Sequence, residues 1–562
     1  MVEGSARKEK EAATEAETEL QIENSSPVLN VDKALEESGT VLFNHEDLSY
    51  GPGGFKGLFQ SPYVFCAAFL ASLGGLSFGY DQGVISLILT MPRFHNQFPE
   101  TAPGARNSGF HTGFMTGMLE LGAFFGCLFF PKLADIISRK KAIVVAVGFF
   151  FVGSIIQTAS SNYGTLVAGR TIGGIGVGTL AMGAPLYISE IAPPNIRGNL
   201  LVLEQFSIVI GNIVSYWIAY GTYNMPSNWC FRLPFLLQMI PAGVVGACIM
   251  IFPYSPRWLA MKGRNHDCLG SLCKLRRLPE DDHRIQTEYK DILAEVEFQK
   301  RIQERDHPDT GPVMLEIKEW LDLFKPRWLR RTAIAVGMPF FQQFSGINAF
   351  QYYGPTLFST IGMNLSQSRI LTGMINIFQL IGVTITLLNM DRMGRRRLSI
   401  WGAVMMGVPH FIMAGLVGKY NATWSSHKGV GWFGVAVFYF YMFSYGLTYG
   451  PVGWTLPSEV YPNAKRSKGV GLATSVNWIS NFVIGVCVPP MIQNIGYGTY
   501  IFFGAFCGLA LIFAYFLVPE TAGKALEQMD EVFHDNASAE EAQMKKEILD
   551  RLNNGDQKDQ KE

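Results

Sequence analysis

The sequence predicts an all-α membrane protein of twelve transmembrane helices, arranged as two six-helix pseudo-repeats with a cytoplasmic helical loop between them. Three observations predict it. Of 562 residues only 16% are charged while 48% are hydrophobic, against about 25% charged in soluble domains, and the mean hydropathy is +0.17. The charge is spread unevenly, gathering at the ends of the chain and in one central stretch. Between these lie twelve apolar runs, each near the length of about 20 residues that crosses a bilayer as helix.

In order, 1–61 ("MVEGSARKEKEAATEAETELQIENSS…") is polar and charged and reads as a disordered tail rather than a cleavable signal. Residues 62–253 hold the first six runs, at 63–91, 111–131, 142–160, 165–187, 199–220 and 233–252. A charged linker, 254–331, follows, whose "RRLPEDDHRIQTEYKDILAEVEFQKRIQERD" suits short amphipathic helices. The second six runs fill 332–518, at 333–360, 368–390, 398–418, 430–456, 468–491 and 497–518; 519–562 is a mixed-charge tail. Lipid-exposed chain must satisfy its own backbone, which favours helices. The 59 glycines suit close helix packing, and the runs lack the period-2 alternation of a barrel. Lysine and arginine crowd the turns at 132–141, 391–397 and 465–468, so both termini and the linker are expected in the cytoplasm. Asn364 and Asn421 then fall outside as possible glycosylation sites, whereas Asn24 and Asn536 fall inside. The eight cysteines form no zinc-like set. With no P-loop, metal cluster or defensible nucleophile–base spacing, neither an enzyme, a cofactor nor a nucleic-acid partner is expected, and "GGIGVG" inside a span reads as helix packing. The chain is expected to act as a monomer.

The halves repeat. "PKLADIISRKKA" and "LNMDRMGRRRLS" each set an Asp (Asp135, Asp391) four residues before an Arg (Arg139, Arg395). "SEIAPPNIRGN" and "SEVYPNAKRSKG" each set a Glu (Glu190, Glu459) seven before an Arg (Arg197, Arg466). Acid and base at helix ends can pair when that side of the molecule is closed and must part when it opens. Such a latch is worth only about 0–1 kcal/mol per exposed pair, yet it biases near-degenerate states of a duplicated bundle that rocks about a central site.

Two sets of polar residues lie within the membrane. "FFQQFSGINAFQYYGP" places Gln342, Gln343 and Asn348 near mid-membrane. Ser345-Gly346 between them can loosen the helix and turn them to one side. The alternative is interhelical glue. In "LSFGYDQGVISLIL" a lone acid, Asp81, interrupts an apolar run, the mark of a functional residue. Asp81 and Arg170 lie roughly 15 Å and 9 Å from their outer helix ends at 1.5 Å per residue, close enough to meet. Three readings of Asp81 compete: a permanent ion pair, a direct ligand, or a group that takes up and releases a proton.

"GRTIGGIGVG", "PLYISEIAPPNIRG", "QQFSGINAFQYYGP", "DRMGRRRL", "GPVGWTLPSEVYP" and "VPETAGKALEQMDEVF" together resemble the sugar porter family of the major facilitator superfamily, in the texture of fungal monosaccharide transporters. The likeness covers roughly 63–530. Departures are Tyr254 in "PYSPR", where the family has Glu, and Ile136 and Ser138, where Arg and Gly are usual. The resemblance implies a plasma-membrane importer of a neutral hexose or pentose. Gln342, Gln343 and Asn348 would touch sugar hydroxyls, with Gln205, Asn376, Trp454 and Asn477 at other matched positions, and Tyr352 and Tyr353 would close over the site from outside. Asn481 reads as structural. Plant monosaccharide and bacterial xylose proton symporters carry this Asp where human facilitative glucose carriers have Asn, which favours proton symport through Asp81 and Arg170. Yeast hexose facilitators carry the Asp too, so facilitation stays open, as does a non-transporting sugar sensor.

Overall fold

The seventh apolar run is not one helix. In the computed structural model it divides into α7 (Pro326–Phe344) and α8 (Ile347–Thr360) at Gly346, whose φ of +95° no other residue type adopts cheaply. The structure describes residues 62–191, 197–308, 310–421, 423–521, 533, 540 and 543–551, all within one unit, Gly51–Glu562. The first half contributes α1 (Pro62–Ile88), α2 (Ser108–Ile137), α3 (Arg139–Ala159), α4 (Tyr163–Ile191), α5 (Arg197–Thr222) and α6 (Trp229–Ile251). After α7 and α8 come α9 (Leu365–Met393), α10 (Arg395–Tyr420), α11 (Lys428–Leu447), α12 (Tyr449–Glu459), α13 (Asn463–Ile495) and α14 (Gly498–Phe516). Counting α7 with α8 and α11 with α12 gives the twelve expected crossings. Among the described residues, nine of them are long and apolar enough on composition alone.

Several observed helices extend past the apolar limits by a few residues. Asn364 and Gln367 form a reciprocal capping box at the start of α9. α7 begins at Pro326, inside the stretch read as linker, with proline in its first turn. The tenth run also breaks, at Thr448 (φ −125°, ψ −86°). The "GGIGVG" stripe does pack helices. A Cβ on Gly174 would stand 2.0 Å from the Leu119 carbonyl oxygen, so only glycine lets α4 lie this close to α2.

Each half has its own apolar core, around Phe150, Val177 and Tyr187 in the first and Met406, Tyr441 and Val452 in the second. A third core joins the halves on the side away from the linker. Tyr80, Ile88 and Phe231 of the first half pack there with Tyr352, Tyr353, Val488 and Phe503 of the second. Tyr216 donates to the Arg369 carbonyl at 2.6 Å, and Arg369 reaches the Tyr223 hydroxyl at 2.5 Å. This far side is closed.

The linker folds into four helices: Pro256–Met261, Asn265–Arg276, His283–Asp306 and Pro312–Asp322. The third runs 24 residues, longer than the short helices expected. The last exposes Val313, Met314, Ile317 and Leu321 along one face. From its other residues Glu316 meets Lys132 of α2 (3.8 Å) and Lys468 of α13, stapling the two halves. Residues 543–551 of the tail dock on the 24-residue helix. Ile548 packs with Ala294, Phe298 and Ile302, flanked by Lys545–Asp291 (2.9 Å) and Arg551–Glu297 (2.8 Å) ion pairs.

Candidate functional site

Close contact of α4 with α2 sets Arg170, one turn before Gly174, against backbone carbonyls of α2. Its guanidinium donates to the carbonyls of Met115 (3.0 Å) and Thr116 (3.4 Å) and to Asp81 Oδ1 of α1 (3.2 Å). Asp81 and Arg170 are fully buried. The cation is held from three directions. The anion has one 3.2 Å contact, and its Oδ2 has no partner among the described residues. Buried ions need full pairing to be stable, so the acid is the under-satisfied member.

The break between α7 and α8 builds the second part. A broken helix in a membrane must have its freed carbonyl satisfied by side chains. Here the Ser345 carbonyl accepts from Tyr441 (2.9 Å) and pairs with His410 (2.8 Å). The break also turns Asn348 onto the same side as Gln342 and Gln343. Asn348 donates to Gln343 Oε1, Gln343 donates to Asn477 Oδ1 (3.0 Å), and Asn477 donates to Gln342 Oε1 (2.8 Å). Gln342 then donates to the Tyr449 and Gly450 carbonyls of α12 (3.0 and 3.2 Å). Four of the seven residues matched to sugar binding thus form one hydrogen-bonded chain. Gln205 on α5 and Asn376 on α9 are buried and Trp454 on α12 half-buried. Among the described residues these three do not join the chain.

Tyr352 connects the two parts. Its hydroxyl donates to Glu120 of α2 and accepts from Asn481 Nδ2 (3.2 Å) and Gln82 Nε2 (3.4 Å). Gln82, the neighbour of Asp81, also makes a long 3.5 Å contact to Asn348 Oδ1. Tyr353 donates to the Gly485 carbonyl of α13 (2.7 Å). Both tyrosines therefore sit in the closed far side. Glu120 and Gln82 were missed in the sequence. Glu120 bears the same mark as Asp81, an acid in an apolar run, and Gln82 adjoins the residue singled out. Asn481, read as structural, bonds directly to Tyr352.

On the linker side the two halves repeat a crosswise pairing. Arg139 meets Asp135 at 2.7 Å and Glu190 at 2.9 Å. Arg395 meets Glu459 at 2.8 Å, and its backbone N–H donates to Glu520 (2.7 Å). Each pair ties helices within its own half; the tie between halves runs through Glu316. Arg466 donates to the Tyr461 carbonyl at 3.4 Å. The side chains of Arg197 and Asp391 lie outside the described residues, as do Asn24 and Asn536. Asn364 and Asn421 are exposed.

Residues 67–533 match the family described as sugar (and other) transporter. The chain is 31% identical over 501 residues to the MFS glucose transporter mfs1 of Aspergillus flavus, covering 85% of this chain and 90% of that protein. It is 32% identical to the quinate permease of Neurospora terricola, covering 84% and 88%. Among solved structures it resembles the proton:xylose symporter XylE bound to 6-bromo-6-deoxy-D-glucose. The TM-score is 0.67 at 26% identity, covering 84% of this chain and 99% of that one. Composition, twelve crossings, duplicated motifs and these likenesses converge: this chain belongs to the sugar porter family of the major facilitator superfamily, and is a multi-pass transporter and not an enzyme.

Proposed function

We propose that this chain imports a neutral monosaccharide, a hexose or pentose, across the plasma membrane by proton symport and alternating access, with Asp81 paired to Arg170 as proton carrier. The linker and both termini face the cytoplasm, so the closed far side is extracellular and Tyr352 and Tyr353 are its gate. The observation that carries the reading is the chain of amides running into the buried acid site. Each amide both donates and accepts, as a sugar hydroxyl does, and every group the amides of this chain meet is uncharged. That favours a sugar over an anion such as quinate, whose carboxylate would call for a cation. The likeness to a proton:xylose symporter supports the coupling.

In the outward-open state water loosens the Asp81–Arg170 pair and Asp81 protonates. Neutralised, it lets the site close over sugar; opening inward re-forms the pair and releases the proton. A proton crossing ~100 mV gains ~2.3 kcal/mol and each pH unit adds ~1.4 kcal/mol. One proton per sugar then sustains roughly 500-fold accumulation. The test is uptake of a hexose and pentose panel in a host without its own hexose carriers, at two external pH values, with and without an uncoupler. Asp81→Asn is expected to abolish uphill uptake and leave sugar exchange measurable. Undiminished accumulation by that variant would exclude Asp81 as the carrier.

A further inference from the structure

Glu120 lies in "TGMLELGAFFG" on α2 and is fully buried. One oxygen accepts the Tyr352 hydroxyl, and Oε2 has no partner among the described residues, as Asp81 Oδ2 has none. Thr116, whose carbonyl receives Arg170, is one turn from Glu120 on the same helix face. The guanidinium therefore pairs directly with Asp81 and acts on Glu120 through its charge, so one cation serves two carboxylates on two helices. The charged and titratable groups facing Glu120 are Asp81 from α1, Arg170 from α4 and Tyr352 and Tyr353 from α8. From α13 the neutral Asn481 reaches it through Tyr352.

Charge counting gives this arrangement its meaning. An Asp81–Arg170 pair alone is neutral with no proton bound. With Glu120 added, the cluster is negative when both acids are ionised and neutral when they hold one proton between them. Surplus charge at this depth is costly, so closing the site around two acids and one guanidinium selects for the protonated cluster. Two such acids titrate as a unit.

We propose that Glu120 is the second proton-sharing carboxylate of the coupling site, and that its bond from Tyr352 passes the state of that site to the sugar amides. The inference rests on the symport reading above. When the far side opens, α8 carries Tyr352 away from Glu120 and both acids meet external water. A proton from that water binds one carboxylate, α8 returns, and Gln82 and Tyr352 bring the cluster back against Asn348. When the linker side opens, the same proton leaves to the cytoplasm. Sugar held by Asn348 and Gln343 steadies α8 in the closed position, so closure needs proton and sugar together.

The test uses the full chain in liposomes, with D-glucose and D-xylose as probes, reading accumulation under an imposed pH gradient and sugar counterflow without one. Glu120→Gln is expected to lose gradient-driven accumulation and the rise of uptake on outside acidification, while counterflow persists. Glu120→Asp should restore part of the pH response. Tyr352→Phe should keep the pH response of exchange but lower the accumulation ratio. Wild-type accumulation by Glu120→Gln, beside its loss in Asp81→Asn, would overturn this assignment and leave symport standing. No accumulation by the unmodified chain would overturn symport and this assignment with it. Loss of counterflow in both Glu120→Gln and Glu120→Asp would assign the residue to packing and overturn the proposal.

Discussion

Ser138 joins α2 to α3 at φ +102°, ψ 154°, a conformation that a residue with a Cβ adopts only under strain. The matching turn of the second half uses Gly394, at φ +78°. Ser138 offsets part of the cost, since its hydroxyl accepts the Lys141 N–H at 3.3 Å. Ser138→Gly is expected to raise the melting temperature in detergent. Relief of backbone strain is worth about 1 kcal/mol, against a few tenths lost with the cap. A lower melting temperature would mean the hydroxyl matters more than the backbone. Tyr254, another departure in this region, stacks on Trp258 with ring centroids 5.7 Å apart and lies under the Lys140 ammonium. It holds the turn by packing where a carboxylate would hold it by charge.

At the scale of elements, the α7–α8 break positions the amides of the proposed sugar site. A Cβ at Gly346 would stand 2.9 Å from the Phe503 ring, on top of the backbone cost of φ +95°. Gly346→Ala should therefore straighten or shift the junction and abolish sugar binding while leaving the chain membrane-inserted, as read by ligand-dependent thermal shift. Retained binding would show that the break is not needed. Ser345-Gly346 announced itself in the sequence, and so did the depths that let Asp81 meet Arg170, because both follow from local residue type and helical rise. The break at Thr448 did not. It accompanies a close approach of Gly446 to the Gln379 carbonyl, set by a helix far along the chain. The crosswise pairing of Arg139 with Glu190 was hidden for the same reason, since sequence gives the four charges and only packing chooses partners. Glu120 carried a visible signal, but its partner Tyr352 is 232 residues away.

For the whole molecule, one side is sealed by an apolar core between halves and the other is bridged by the linker. Asp322 anchors that bridge. It accepts from Lys325 (2.7 Å), Lys465 (2.8 Å) and His307 (2.8 Å). Burial raises its pKa, but these hydrogen bonds outweigh it and hold the carboxyl at about 2. A depressed carboxylate stabilises the fold fully above its unfolded value, near 3.8, and loses that contribution as pH falls through about 2. Detergent melts of the unmodified chain should therefore weaken below about pH 4. Asp322→Asn should melt lower at neutral pH and show a flatter acid limb; an unchanged limb would remove Asp322 as its cause. At the centre, Gln342, Gln343, Asn348 and Asn477 satisfy one another's hydrogen bonds. On the proposed reading, an arriving hydroxyl must displace a bond already made, so each exchange yields little net attraction. A cargo lacking one hydroxyl breaks such a bond and leaves a stranded amide, a loss larger than any single gain. Such a carrier grips weakly and discriminates sharply, which suits a protein that has to let go on every turn.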